Sequence, residues 1–182
     1  IYPLIHSTAG QVGSVLRLRV NLRALFHELF TLFLHPLLQR FFLGDALFTE
    51  EDRQYARELR ETAAQAPLAG RVHFAGFRKD TAAFFDLADV VVHASVIAEP
   101  FGRVIVEGML AGKPVIATRA GGAAEILTHE QTGLFVSPNH AQELAAALRR
   151  LHNDRSLAHH LATTGRQAAR EAYSLDAVRS KI

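Results

Sequence analysis

The sequence of 182 residues contains no cysteine, which excludes a disulfide framework and a thiolate metal site. The absence agrees with a reducing cytoplasm, where we expect the protein to reside. Acidic and basic residues nearly balance, with a formal net charge of +2, and the basic residues are spread along the chain. We therefore expect no nucleic-acid partner, because such proteins concentrate positive charge on one surface.

Three further patterns are missing. The G-x-G-x-x-G fingerprint does not occur, which argues against a dinucleotide-binding oxidoreductase. The most apolar stretch, residues 22–43, is interrupted by charged side chains, two histidines and Pro36. It is therefore too polar to span a bilayer. A basic region followed by a clean apolar core, as in a secretory signal, is not evident at the start.

Residues 1–43 form an atypical, apolar segment, which we predict to be mainly helical. Phe26, Phe30 and Phe33 recur at helical spacing, and Pro36 is expected to end or kink the helix. The helix either packs against the rest of the protein or lies on a membrane surface, and packing is the simpler interpretation. A membrane-surface helix would place the protein at the periphery of the inner membrane.

Residues 44–182 are predicted to form one domain in which short apolar strands alternate with helices. The strands are expected at residues 71–76, 89–95, 114–118 and 133–137. Apolar strands of this kind are typical of a parallel sheet covered on both faces. The predicted fold class is therefore α/β, with a Rossmann-like parallel sheet flanked by helices. Ligands of such sheets bind beyond the carboxyl ends of the strands.

Individual side chains refine this prediction. Asp80 and Asp154 precede helical patterns and are most simply helix caps. Between residues 80 and 88, the helix offers Phe84, Phe85 and Leu87 as core candidates.

The stretch from residue 95 to residue 122 carries the strongest functional pattern. Glu99 and Glu107 are separated by seven residues, and a helix is predicted from about residue 101 to residue 111. Glu99 then lies in the loop before the helix, and Glu107 lies on the helix. Free N–H groups at a helix start favour anions, so a ligand with hydroxyls at both ends and phosphates between them would fit. A nucleotide sugar is such a ligand.

Three motifs in this order resemble the family 4 (group 1) glycosyltransferases: EPFG at 99–102 followed by Glu107, GKPVIA at 112–117 and GGAAEI at 121–126. The resemblance covers roughly residue 44 to the end of the chain. It implies the carboxy-terminal, donor-binding domain of a GT-B enzyme. Such enzymes transfer a sugar from a UDP- or GDP-sugar to a saccharide or lipid acceptor, with retention of configuration and without a metal.

The resemblance also implies roles for individual residues. Glu99 would be the catalytic residue that orients the transferred sugar, and Glu107 would accept hydrogen bonds from the ribose hydroxyls. The backbone N–H groups of Phe101, Gly102 and Arg103 would meet the sugar or the diphosphate. Arg78 would read the base.

Four residues keep two interpretations each. Gly121 and Gly122 form either a tight turn or a surface for close approach of the ligand. His93 is either a core histidine or a contact to the sugar. The Arg103 side chain pairs with either a carboxylate or a phosphate.

A Gly-Arg … Lys-Gly segment, which supplies two cations to the diphosphate in the family, is not found before residue 44, and no lysine precedes Lys79. We therefore expect that the amino-terminal acceptor domain and these cations are missing, and that the chain alone is a poor catalyst. The alternative is a non-catalytic nucleotide-sugar-binding or interaction module, which exposed Phe26, Phe30 and Phe33 would favour. A sugar-nucleotide epimerase is a third hypothesis, but a second catalytic acid is not evident.

Overall fold

A computed structural model describes residues 40–43, 50–65, 68–95 and 101–173. The helix predicted around Phe26 lies outside these residues. Strands and helices alternate in the order β1 (Arg40–Leu43), α1 (Glu50–Ala63), β2 (Val72–Gly76), α2 (Thr81–Leu87), β3 (Val91–His93), α3 (Arg103–Leu110), β4 (Val115–Thr118), α4 (Ala123–Ile126), β5 (Leu134–Val136), α5 (Ala141–Asn153) and α6 (Arg155–Tyr173).

All described strand pairs are parallel, which confirms the predicted α/β fold class. Strand β1 pairs with β2, and a three-stranded ladder has the order β3-β4-β5. All four residues of the central strand β4 are buried. A strand with helices over both faces requires such continuous apolar sequence, and Val-Ile-Ala-Thr supplies it.

The hydrophobic core lies on both faces of β4. Ile116 packs with Leu134, Leu144 and other residues of β5 and α5 in one cluster. Its neighbours in the strand, Val115 and Ala117, point to the opposite face and join a second cluster that includes residues of α2 and α3. Helix α6 contributes to both clusters, so it spans the edge of the sheet.

Strand β1 shows that the last residues of the predicted 1–43 segment join the sheet. Residues 40, 41 and 42 pair in parallel with residues 72, 73 and 74 of β2. The end of this segment is therefore a strand, whereas the division of the chain at residue 43 stays a prediction.

Helix α3 begins at Arg103 and ends at Leu110, slightly inside the predicted limits. It starts two residues late because Gly102, at its amino-terminal cap, adopts the left-handed conformation with φ 62°. At the other end Gly112 also has a positive φ, of 70°. Its N–H donates to the carbonyl of Met109 over 2.9 Å, which closes the helix.

Two predictions about α2 are wrong. Asp80 precedes the helix, but its side chain makes no capping hydrogen bond because it pairs with Arg78 instead. Leu87 is exposed, and Phe85 is the buried residue of this short helix. By contrast, Asp154 accepts a hydrogen bond from the N–H of Leu157 over 2.8 Å, so it does cap α6.

Helix α6 packs along α3 and holds it against the sheet. Gly165 lets α6 pass close to the loop before β5, because a methyl group added there would lie 2.8 Å from the carbonyl oxygen of Thr132. Its distance to Cγ of Met109 in α3, 3.7 Å, is that of an ordinary contact. Backbone atoms cannot yield as a flexible side chain can. The position of α6 against this loop therefore depends on a small residue at position 165.

We expect Gly165→Ala to destabilise the protein by about 1–3 kcal/mol, because overpacking outweighs the better helix propensity of alanine. Urea denaturation measures the change. Thr163→Ala, at an exposed position of the same helix, is the control and should change the free energy of unfolding by less than about 0.5 kcal/mol. A Gly165→Ala variant as stable as the wild type would contradict this packing argument.

Candidate functional site

Two loops meet at the carboxyl ends of β3 and β4. The strands are adjacent and parallel, with His93 paired to Ala117 at their ends. The Thr118 hydroxyl donates a hydrogen bond of 2.5 Å to the carbonyl oxygen of Ser95. This bond links the last residue of β4 to the loop after β3. Sequence reasoning missed Thr118, since a threonine at the end of a strand carries no distinctive signal.

The start of α3 lies directly against α4. A side chain at Gly102 would place its Cβ 3.0 Å from Cδ1 of Ile126 and 3.8 Å from the backbone nitrogen of Ala123. Gly122, which caps α4, is buried, whereas Gly121 is exposed. The carbonyls of both glycines accept hydrogen bonds from the first N–H groups of α4, so they do form a tight turn. This turn lies beside the start of α3.

The first turn of α3 presents positive potential. Within the described part of the chain, no group accepts a hydrogen bond from the N–H groups of Phe101, Gly102, Arg103 or Val104. The described helix has no acidic residue in its first turn, and the side chain of Phe101 is exposed. Uncompensated N–H groups at a helix start attract anions.

Glu107 lies one turn further along α3. Its Oε1 is 3.1 Å from Nε of Arg103, and the Glu107 side chain is 32% exposed against 72% for Arg103. Burial raises the pKa of Glu107 above its ordinary value, and the Arg103 charge opposes that rise. Of the two partners considered for Arg103, the structure therefore shows a carboxylate.

Arg78 lies in the loop after β2, and its contacts are local. It makes two hydrogen bonds to Asp80, of 2.8 and 2.7 Å, and its guanidinium lies 5.4 Å from the ring centroid of Phe84. Hydrogen bonds from Arg78 lower the pKa of Asp80, and those to Asp80 raise the pKa of Arg78. The structure thus holds Arg78 on its own loop and α2.

His93 ends β3 and is 2% exposed. Its burial favours the core-histidine interpretation over a contact with the sugar. Glu99 lies outside the described residues, so its predicted position next to the helix stays a prediction.

A groove of about 290 Å³ lies elsewhere, between β5 and α5. Its lining includes His129, Phe135, Glu143 and Arg150, and it contains none of the residues that the sequence predicts to bind the donor. Among the described residues, no helix is long and apolar enough to cross a membrane. In the same ranges, no group of three His, Cys, Asp or Glu side chains could hold a metal ion.

The family model described as "Glycosyl transferases group 1" matches residues 25–168 of this sequence. The chain belongs to this family. The match begins before residue 44 and includes residues 25–43, which the motif comparison left outside the resemblance.

Curated relatives of this group 1 glycosyltransferase chain include two bacterial enzymes. The lipopolysaccharide core biosynthesis glycosyltransferase LpsD of Rhizobium meliloti is 36% identical over 121 residues, which are 66% of this chain and 35% of LpsD. A GDP-mannose-dependent alpha-(1-6)-phosphatidylinositol monomannoside mannosyltransferase of Mycobacterium tuberculosis is 31% identical over 155 residues, 81% of this chain and 40% of that enzyme. The chain spans well under half the length of these relatives.

Solved structures support the same fold. Anabaena Alr3699/HepE, crystallised in complex with UDP-glucose, has 34% identity and a TM-score of 0.77, over 88% of this chain and 43% of HepE. The C-terminal domain of the group 1 glycosyltransferase LpcC from Francisella tularensis has 30% identity and a TM-score of 0.72, over 84% of this chain and 80% of that domain. The fold is therefore that of a GT-B glycosyltransferase domain.

The raised pKa of Glu107 predicts a dependence of stability on pH. Between the usual pKa of glutamate, about 4.3, and the raised value, the folded protein binds more protons than the unfolded chain. The contribution of Glu107 to stability is thus fully present at lower pH and is lost as pH rises through this window.

We expect Glu107→Gln to be more stable than the wild type at pH 7, by less than about 1 kcal/mol because Arg103 and solvent already offset part of the burial. The difference should disappear below about pH 4, where the glutamate is protonated in both states. Urea denaturation at both pH values measures it. Glu61→Gln, exposed on α1, is the control. A glutamine variant less stable than the wild type at pH 7 would be inconsistent with a penalty for burying this charge.

Proposed function

We propose that residues 44–182 are the donor-binding domain of a family 4 glycosyltransferase, which transfers a sugar from a UDP- or GDP-sugar with retention of configuration. The observation that carries the proposal is the combination of N–H groups at the start of α3, for which the described residues supply no acceptor, with the half-buried Glu107 one turn along it. A cytoplasmic location, in agreement with the absence of cysteine, is part of the proposal.

The diphosphate of the donor would bind at the start of α3. Backbone N–H groups of Phe101, Gly102 and Arg103 have no described acceptor, and the dipole of the helix adds positive potential. Gly102 lies close to the backbone nitrogen of Ala123, the residue after Gly122, which supports a shared surface for the ligand.

The ribose would bind at Glu107. An ionised carboxylate only accepts hydrogen bonds, so two neighbouring hydroxyls are suitable partners for its two oxygens. The partial burial of Glu107 supports a role in binding, since hydrogen bonds to a carboxylate that is partly shielded from water are stronger than those to an exposed carboxylate. We keep Glu99 as the residue that orients the sugar, and Arg78 as the candidate for contact with the base.

In the proposed reaction the bond between the anomeric carbon and the diphosphate breaks, and the acceptor hydroxyl oxygen forms a bond to the anomeric carbon on the same face of the sugar. The proton of that hydroxyl passes to the departing diphosphate oxygen. Negative charge then develops on the departing nucleoside diphosphate. Donors that are already fixed at the start of α3 would stabilise this charge without reorganisation, and such preorganisation is usually the largest contribution to catalysis.

Two different nucleotides are associated with the similar proteins, so the experiment has to include both. HepE was crystallised with UDP-glucose and with UDP, whereas the mycobacterial relative is named for its dependence on GDP-mannose. The alternative of a non-catalytic module depended on exposure of Phe26, Phe30 and Phe33, which lie outside the described residues.

Binding of UDP and GDP by calorimetry tests the proposal. We expect Glu107→Ala to weaken binding of the preferred nucleotide at least about tenfold, because a hydrogen-bonding group with charge is lost from a partly buried site. Binding is the appropriate measurement because the chain spans only part of the length of its relatives.

The control for this experiment is Glu61→Ala, which removes an exposed glutamate from α1. Helix α1 connects the parallel strands β1 and β2, so its carboxyl-terminal half lies toward the amino ends of the strands. The candidate site lies at the carboxyl ends. Equal affinity of the wild type and Glu107→Ala, or no binding of either nucleotide by the wild type, would overturn the proposal.

Metal independence gives a separate prediction. If the helix start supplies the positive charge at the diphosphate, nucleotide affinity should change by less than about twofold when EDTA replaces Mg²⁺ in the buffer. Titrations in both buffers measure this. A loss of affinity of tenfold or more in EDTA would show that a divalent cation carries the phosphates.

A further inference from the structure

In this structure Arg103 pairs with the carboxylate of Glu107, which is the group that would bind the ribose in the proposed function. Nε of Arg103 lies 3.1 Å from Oε1 of Glu107. A ligand hydroxyl that donates to this oxygen must therefore compete with the guanidinium. When a ligand binds to Glu107, the guanidinium of Arg103 therefore needs another partner.

The geometry of the pair makes it easy to break. Arg103 precedes Glu107 by four residues, and a cation before an anion on a helix is the weaker of the two orientations. The Arg103 side chain is also 72% exposed, so solvent competes for both charges. Exposed pairs of this kind shift an equilibrium by no more than about fivefold.

Arg103 stands at an unfavourable place on the helix unless an anion binds there. It is the first residue of α3, where the positive end of the helix dipole repels a cation. The first turn contains no acidic residue to compensate. Local conflicts of this kind are typical of functional positions.

We propose that Arg103 exchanges partners when a nucleoside diphosphate binds: its guanidinium leaves Glu107 and pairs with the phosphates at the start of α3. This inference rests on the proposed function and adds a positioning residue to it. Release of Arg103 frees Glu107 for the ribose, and the phosphates gain a mobile cation. Both ends of the ligand are then required for tight binding.

The exchange makes opposite predictions for ligands with and without phosphate. A nucleoside must displace Arg103 from Glu107, and because it has no phosphate it forms no ion pair with the displaced guanidinium. A nucleoside diphosphate displaces Arg103 and then gains a charge-assisted hydrogen bond from it. The same substitution therefore separates the two ligands.

The experiment compares wild type, Arg103→Gln and Arg103→Lys by protein-observed NMR titration with UDP and uridine, or with GDP and guanosine if that base is preferred. We expect Arg103→Gln to bind the nucleoside diphosphate about 5- to 20-fold more weakly. Binding of the nucleoside should be unchanged or up to about fivefold tighter. Arg103→Lys should recover part of the lost affinity for the diphosphate, because it retains the charge.

Ionic strength provides a readout that a structural role would not change. The affinity of the wild type for UDP should fall with added salt more steeply than that of Arg103→Gln, which has lost one charge at the phosphates. The matched control is Arg150→Gln, which also removes an exposed arginine from an ion pair, with Glu130. Glu130 precedes β5, so this pair lies toward the amino ends of the parallel strands, away from α3.

The outcomes distinguish this inference from the proposed function. If Arg103→Gln weakens both ligands equally, or weakens neither, the exchange is wrong although the wild type binds nucleotides. If the wild type binds neither UDP nor GDP, the proposed function itself fails, and the exchange fails with it.

Discussion

The contact between the start of α3 and helix α4 is the constraint on which the candidate site depends. Gly102 has a φ of 62°, and any side chain there would meet Ile126 and Ile105 at about their contact limit, with Cβ distances of 3.0 and 3.1 Å. Position 102 therefore requires glycine for two reasons, the left-handed conformation of the backbone and the lack of space for a side chain. Because the two helices touch, the turn after β4 and the N–H groups of α3 share one surface.

At Glu107, stability conflicts with the binding role that we propose for this residue. Glu107 is partly buried on a helix whose other face packs on the sheet, and burial raises its pKa. A glutamine of the same shape would avoid that penalty, so a requirement for a negative charge explains the glutamate better than packing does. Arg103 reduces the penalty in the free protein, and its exposure keeps the pairing weak.

Sequence reasoning located the strands and helices because continuous apolar runs and glycine breaks are local signals. It failed at two residues at the ends of α2, Asp80 and Leu87. Asp80 has the residue type and position of a helix cap, yet it bonds to the guanidinium of Arg78, two residues before it. Leu87 has the hydrophobicity of a core residue, but α2 ends there, and no other element of the described chain covers it.

The alternation of strands and helices, the membership of the glycosyltransferase family and the positions of the motif glycines can all be read from the sequence. These features depend on residue type and on spacing along the chain. The enclosure of His93 and the half-burial of Glu107 next to Arg103 are visible only once the chain is folded. Burial is set by elements remote in sequence, here the packing of α3 between the sheet and α6.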